Sequence, residues 1–249
     1  MAADSYVWTG DEGKPEMNVL DDLVDEENVT VHQAVQKTIE LAQTRKTFPD
    51  PIAIHCECTA RGVIVAAART APKRQSKLIN YVHELRSKSV TDVSTGEPIL
   101  HDGAALWVDL PTFERTVDEE LHSIPAPRYT PEKLVQWENI IALFAQLDAS
   151  TTDPKLDFFH TWPLKYISLA LVDPDPKYEY GNVLRMACNW FVYDAEKLWR
   201  KVPDDKDFSL TSWQQWKRAL EEKKLTVEDE KTKNLIHAAL SEMERVERI

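Results

Sequence analysis

Residues 178–202 read YEYGNVLRMACNWFVYDAEKLWRKV. Val183, Ala187, Trp190, Phe191, Leu198 and Val202 recur at three- and four-residue spacing, the period of one face of an α-helix. No turn residue interrupts the run after Gly181, so the spacing predicts a helix from about Tyr178 to Lys201. Asp194 falls inside the apolar stripe, one turn from Trp190 and from Leu198.

The same period extends outward in both directions. Thr130 reads as an N-cap for a helix to about Ala149, with Leu134, Trp137, Ile141, Phe144 and Asp148 on or near one face. A further helix covers roughly Phe158 to Leu171 and is kinked or restarted at Pro163. Ser209 caps a helix to about Lys223, and Thr226 caps the last one, with Asp229 three positions on.

Toward the N-terminus, a short helix is expected over Met17–Val24. Thr30, with Gln33 in the capping-box position, opens another that ends near Thr47. Pro51 starts a helix to about Thr70 that is apolar on several sides and therefore buried. A partner follows over Lys73–Lys88. Ser89–Gly103 is polar and turn-rich and reads as the longest loop. A helix over Pro111–Ser123 and a stiff Pro125–Pro131 connector complete the chain. No stretch alternates in the manner of strands. The expected fold is all-α: a multi-helix bundle of nine or ten helices, with a flexible arm over residues 1–16 and a single domain over residues 17–249.

Composition bounds the function classes. The chain has 249 residues, 43% of them hydrophobic, and only 6 Gly. So few glycines disfavour a fold built on tight turns. The net charge is −12, which repels phosphate backbones and anionic membranes. No apolar run is long enough to span a bilayer, and Met1–Lys14 lacks an apolar signal core. The three Cys fit reduced thiols. The expectation is a cytoplasmic protein with no nucleic-acid partner and no membrane insertion.

Several segments together carry a resemblance: Gln75–Leu85 (QSKLINYVHEL), Leu106–Pro111 (LWVDLP), Ala187–Tyr193 (ACNWFVY) with Glu196 and Leu198 after it, and Phe208–Lys217 (FSLTSWQQWK) with its Trp-x-x-Trp. They resemble an all-helical family of filamentous fungi catalogued as a domain of unknown function. The resemblance implies a fungal source, a helical architecture and an association with specialised metabolism. It brings no catalytic residues with it.

Candidate chemistry starts with Asp194. A carboxyl on an apolar stripe is desolvated and its pKa raised, which suits a general acid or base; the same position equally suits half of a buried ion pair. Asp21, Asp22 and Asp25 have the spacing of a diphosphate-metal motif of terpene cyclases. The second metal motif of those enzymes is absent, so a solvated acidic turn is the better reading. His55, Cys56 and Cys58 invite a metal, but the two thiols lie about 200° apart on a helix and read as buried core. There is no Gly-rich phosphate loop, nucleophile elbow or His-Glu-x-x-His. No metal and no cofactor is expected.

The chain holds 8 Trp, and Trp is large and needs a partner for its N–H. Trp137 and Trp190, with Tyr193, His160 and Trp162, are the candidate lining of an aromatic inter-helix pocket. The expected function is binding, or cofactor-independent cyclisation, isomerisation or dehydration, of a hydrophobic metabolite, with Asp194 as its catalytic group. The alternative is a non-enzymatic interaction or scaffold protein.

Overall fold

The computed structural model describes residues 14–44, 51–122, 130–157, 162–178, 180–202 and 208–249. It is 73% helical, with ten α-helices and one two-stranded hairpin among the described residues. Contacts divide the chain into two compact units, Met1–Ser123 and Ile124–Ile249. The bulk of the expected arm, residues 1–13, lies outside the described residues, as do His160 and the Pro125–Pro127 part of the connector.

The first unit holds α1 (Lys14–Asp25), α2 (Val31–Thr44), α3 (Pro51–Arg69), α4 (Ser76–Arg86) and α5 (Phe113–Leu121). α1 packs on α2, α3 and α4, α2 packs on α4, and α5 packs on α3. The start of α2 is a reciprocal capping box. The Gln33 amide donates to Thr30 Oγ1 at 3.2 Å, and the Thr30 amide donates to Gln33 Oε1 at 2.9 Å. Two orphan backbone donors are thereby satisfied.

α1 begins at Lys14, earlier than the spacing suggested. Glu16 is drawn inside, where its carboxylate meets His55 Nδ1 at 2.6 Å, both side chains fully buried. Trp107 packs its ring edge-on against His55, centroids 5.3 Å apart.

Gln75 and Lys77, both in the Gln75–Leu85 segment, act on backbone carbonyls. Gln75 Nε2 donates to Thr70 O at 3.0 Å, closing the end of α3. Lys77 Nζ donates to the carbonyls of Leu23, Glu26 and Val29 at 2.9–3.1 Å. One ammonium therefore satisfies the turn between α1 and α2, whose carbonyls have no helical partner.

The expected loop is partly paired. Thr91 bridges Pro98, and β1 (Leu100–His101) pairs antiparallel with β2 (Ala104–Ala105). Asp102 and Gly103 turn the hairpin at φ 50° and 79°. Asp-Gly is the dipeptide that tolerates two consecutive left-handed residues. The strands are too short for period-two alternation to register in the sequence.

The second unit holds α6 (Pro131–Ala149), α7 (Trp162–Leu171), α8 (Tyr180–Lys201), α9 (Leu210–Thr226) and α10 (Glu230–Val246). α8 is its centre and packs on α6, α7 and α10. Its stripe residues Val183, Ala187, Trp190, Phe191 and Leu198 are buried. Thr130 and Ser209 cap as expected, accepting from the amides of Lys133 and Ser212. Pro163 is the second residue of α7, so it starts the helix rather than kinking it. The cap of α10 is Asp229, not Thr226. Asp229 Oδ2 accepts from the amide of Thr232 at 2.8 Å, while α9 runs on to include Thr226. A carboxylate is the stronger acceptor at a helix N-terminus, so the later residue wins.

An aromatic cluster ties α8 to α9. Phe191 and Trp199 both pack on Trp213, and Phe191 and Phe208 pack on Trp216. Trp213 Nε1 donates to Glu247 at 2.9 Å, which docks the segment after α10.

Candidate functional site

Asp194 is 1% exposed, in the middle of α8. Opposite it, in the last turn of α6, Asp148 is fully buried. Lys197, one turn beyond Asp194, donates to Asp148 Oδ1 and, at 3.1 Å, to the Asp148 carbonyl. A further turn along α8, Lys201 reaches Asp157 at 3.3 and 3.4 Å, and Asp157 also lies 3.6 Å from Lys197. The spacing of 194, 197 and 201 puts all three side chains on one face of α8.

The two acids are not equivalent. Burial, then the charge of Asp157, pushes Asp148 up to about 6, although the hydrogen bond and charge of Lys197 hold it down. Burial raises Asp194 well above the usual carboxylate range, and the neighbouring Asp148 charge raises it further. With both acids ionised, no described residue donates to either oxygen of Asp194 or to Asp148 Oδ2. With one proton between them, the neighbouring Asp148 carboxyl is a hydrogen-bond partner for Asp194, which also raises it. Two buried like charges side by side cannot both ionise cheaply, so the pair favours holding one proton. Lys197, bonded to Asp148, favours the charge on Asp148 and the proton on Asp194.

A cavity of about 700 Å³ opens beside this pair. Its walls are the α6 C-terminus and following turn (Ala149–Thr152), Asp157, the 192–197 face of α8 with Arg200 and Lys201, and Glu242 and Arg245 of α10. Asp194 is part of the wall. Both carboxyl oxygens of Asp194 are buried behind this surface, so a molecule in the cavity meets them only when the wall shifts.

Of the residues singled out in the sequence, Asp194 and Tyr193 line this cavity. Burial raises the Tyr193 hydroxyl above its ordinary value. Trp137, Trp162 and Trp190 are fully buried in the core of the second unit and do not line it. Trp162 packs beside Tyr166 at 6.1 Å and carries Lys165 Nζ 4.5 Å over its ring. The cavity wall is charged and polar rather than aromatic.

Asp148, Asp157, Lys197 and Lys201 are the residues the sequence did not single out as a site. Asp148 did carry a signal, as a second acid on an apolar stripe.

The remaining candidates resolve into structural roles. Asp21 and Asp25 both pair with Arg69, and Asp22 pairs with Lys37 at 3.1 Å. Cys56, Cys58 and Cys188 are buried free thiols, and burial pushes the Cys188 thiol up. Glu138 is held by Arg185 of α8 and by Lys231 of α10, the latter at 2.8 Å, so this buried acid is neutralised. No helix among the described residues is long and apolar enough to cross a membrane.

Residues 62–236 match the model of a protein family described as of unknown function, DUF3632. The chain belongs to the DUF3632 family. All four of the segments that carried the resemblance fall inside the matched stretch of this DUF3632 protein, and so do Asp148, Asp157, Asp194, Lys197 and Lys201. Glu242 and Arg245, which close one side of the cavity, lie beyond it. Neither the curated proteins nor the solved structures include a match to the chain.

Proposed function

We propose that this DUF3632 protein binds a small oxygenated molecule in the cavity beside α8, with Asp194 as the proton donor to a carbonyl or carboxylate oxygen. The observation that carries this reading is the buried carboxyl of Asp194, raised by Asp148 and with no donor among the described residues, beside a cavity large enough for a metabolite. A neutral carboxylic acid is a strong hydrogen-bond donor in a site of low dielectric. Lys197, Arg200, Lys201 and Arg245 stand in the same wall, paired with Asp148, Glu196, Asp157 and Glu242 respectively.

The chemistry this serves is acid catalysis without a cofactor. A proton placed on a carbonyl oxygen gives the enol as the adjacent C–H proton passes to a wall carboxylate, Glu196 or Glu242, and return of a proton at another carbon completes isomerisation. A proton placed on a hydroxyl lets it leave as water while the same carboxylate takes the proton of the adjacent carbon. Asp148, held ionised by Lys197, is the neighbour that stabilises the proton on Asp194 between cycles.

The test uses ¹³C-labelled aspartate carboxyls observed by NMR while butyrate is added as the probe. The Asp194 resonance is expected to shift with butyrate and to report a protonated carboxyl at neutral pH. Asp194→Asn should abolish the response of the neighbouring Asp148 resonance. An Asp194 signal that is ionised at neutral pH, or that ignores butyrate, overturns the reading.

A further inference from the structure

A second hollow adjoins the first. It has a volume of about 270 Å³ and is lined by Glu196, Trp199, Arg200, Val202, Val246 and Ile249. Glu196 and Arg200 belong to both linings. They pair with each other across one helical turn, and Arg245 also lies 3.7 Å from Glu196. The boundary between the two spaces is therefore a charged sill, polar toward Asp194 and apolar beyond it.

The two sides of the sill have different chemistry. On one stand Asp194, Asp157 and the hydroxyl-bearing turn at Ser150–Thr152. On the other stand an indole, two valines and an isoleucine. The Trp199 ring is fixed from behind by Trp213, centroids 5.2 Å apart, so the apolar wall is rigid. Ile249 is 81% exposed and forms the outer lip. An apolar hollow continuous with a polar one selects a molecule that has both characters in sequence.

We propose that the ligand is an amphiphile, whose oxygenated head lies in the polar cavity beside Asp194 and whose unbranched apolar tail crosses the Glu196–Arg200 sill into the hollow against Trp199. The proposal rests on the reading of Asp194 given above and adds the class of molecule. At about 30 Å³ for each water-sized group, the hollow holds about nine such groups, which is a tail of medium length rather than a long-chain lipid.

The experiment compares butyrate with decanoate, below its micellar concentration, by calorimetric titration of the full chain. Each methylene taken out of water strengthens binding about fourfold. With the tail half buried in an open hollow, decanoate should bind about fiftyfold more tightly than butyrate. Ile249→Asp places a charge on the exposed lip without touching the core and should weaken decanoate at least about tenfold, with the loss confined to the longer acid. Decanoate brominated at its terminal carbon should quench indole fluorescence in the parent and much less in Trp199→Phe.

If butyrate binds and decanoate binds no more tightly, or if Ile249→Asp leaves decanoate untouched, the tail assignment is wrong and the Asp194 site stands. If neither acid binds, both readings are wrong. Tight decanoate binding with quenching that is the same in Trp199→Phe places the tail elsewhere and overturns the proposal.

Discussion

Lys197 donates to the side chain and the carbonyl of Asp148 and to neither oxygen of Asp194, which has no donor among the described residues. The asymmetry decides which acid keeps the proton. Asp148 has a cation to stabilise its charge in a buried position, and Asp194 has an anion beside it.

Neutral substitutions of the two acids should therefore differ sharply. Asp148→Asn strips Lys197 of its buried partner and should destabilise the protein by about 3 kcal/mol. Asp194→Asn replaces a protonated acid by an amide of the same shape and removes the linkage cost of keeping a buried carboxyl protonated above its unfolded pKa, so at neutral pH the variant should be at least as stable as the parent. Urea unfolding at neutral pH reads both values. Equal losses would mean that Asp194 is ionised.

The acid pair also makes stability depend on pH in an unusual direction. Unfolded aspartates titrate near 3.9. In the folded protein Asp148 rises to about 6, and Asp194 rises well above the usual range. Between those limits the native state binds more protons than the unfolded one, so this pair loses stabilising effect as pH rises. Asp194→Asn removes one of the two titrations and the repulsion behind the other. The stability of the variant relative to the parent should therefore increase steadily from about pH 4 to pH 8, followed by urea midpoints. A constant difference would show that the pair does not hold a proton.

Lys77 provides a test within the first unit. Its ammonium meets the carbonyls of Leu23, Glu26 and Val29. Lys77→Met keeps much of the side-chain volume and leaves all three carbonyls without the donor, at a cost of about 2 kcal/mol. Hydrogen exchange should show the loss first at the junction of α1 and α2.

The start of α10 separates two neighbouring cap assignments. Asp229→Ala removes the acceptor for the Thr232 amide and hydroxyl and should cost about 1 kcal/mol. Thr226→Ala, in the last turn of α9, should cost less than about 0.5 kcal/mol. Thermal melts of the two single variants give the comparison directly.

Much of the fold was legible because helix ends are decided locally. Thr30 and Gln33, Thr130 and Ser209 act on backbone groups three residues away, and the sequence displays those neighbours. Where two capping residues competed, as at Thr226 and Asp229, the chemistry of the acceptor settled the matter and spacing did not. The Leu100–Ala105 hairpin escaped notice because two-residue strands show no period, although Asp102-Gly103 marks the turn.

The site was half legible for a related reason. Asp194 stood out as an acid on an apolar stripe. Asp148 had the same property on α6, but nothing local announces that the two face each other. Their pairing is a product of helix packing, as is the choice of Lys197 for Asp148. Tryptophan content was the misleading guide. Trp137, Trp162 and Trp190 supply bulk to the core, and the indole that faces open volume is Trp199, near the end of α8.

The cavity takes Ala149 from one helix, Asp194 from the next but one, and Arg245 from the last. A ribosome delivers the N-terminal segments first, so Asp148 and Asp194 are both synthesised well before their wall is complete. The acids meet where α6 packs on α8, so the pair is assembled before α10 emerges. Glu242 and Arg245 arrive last and complete the wall, and a nascent chain cut short before Glu230 would carry the acid pair without the whole of the cavity beside it.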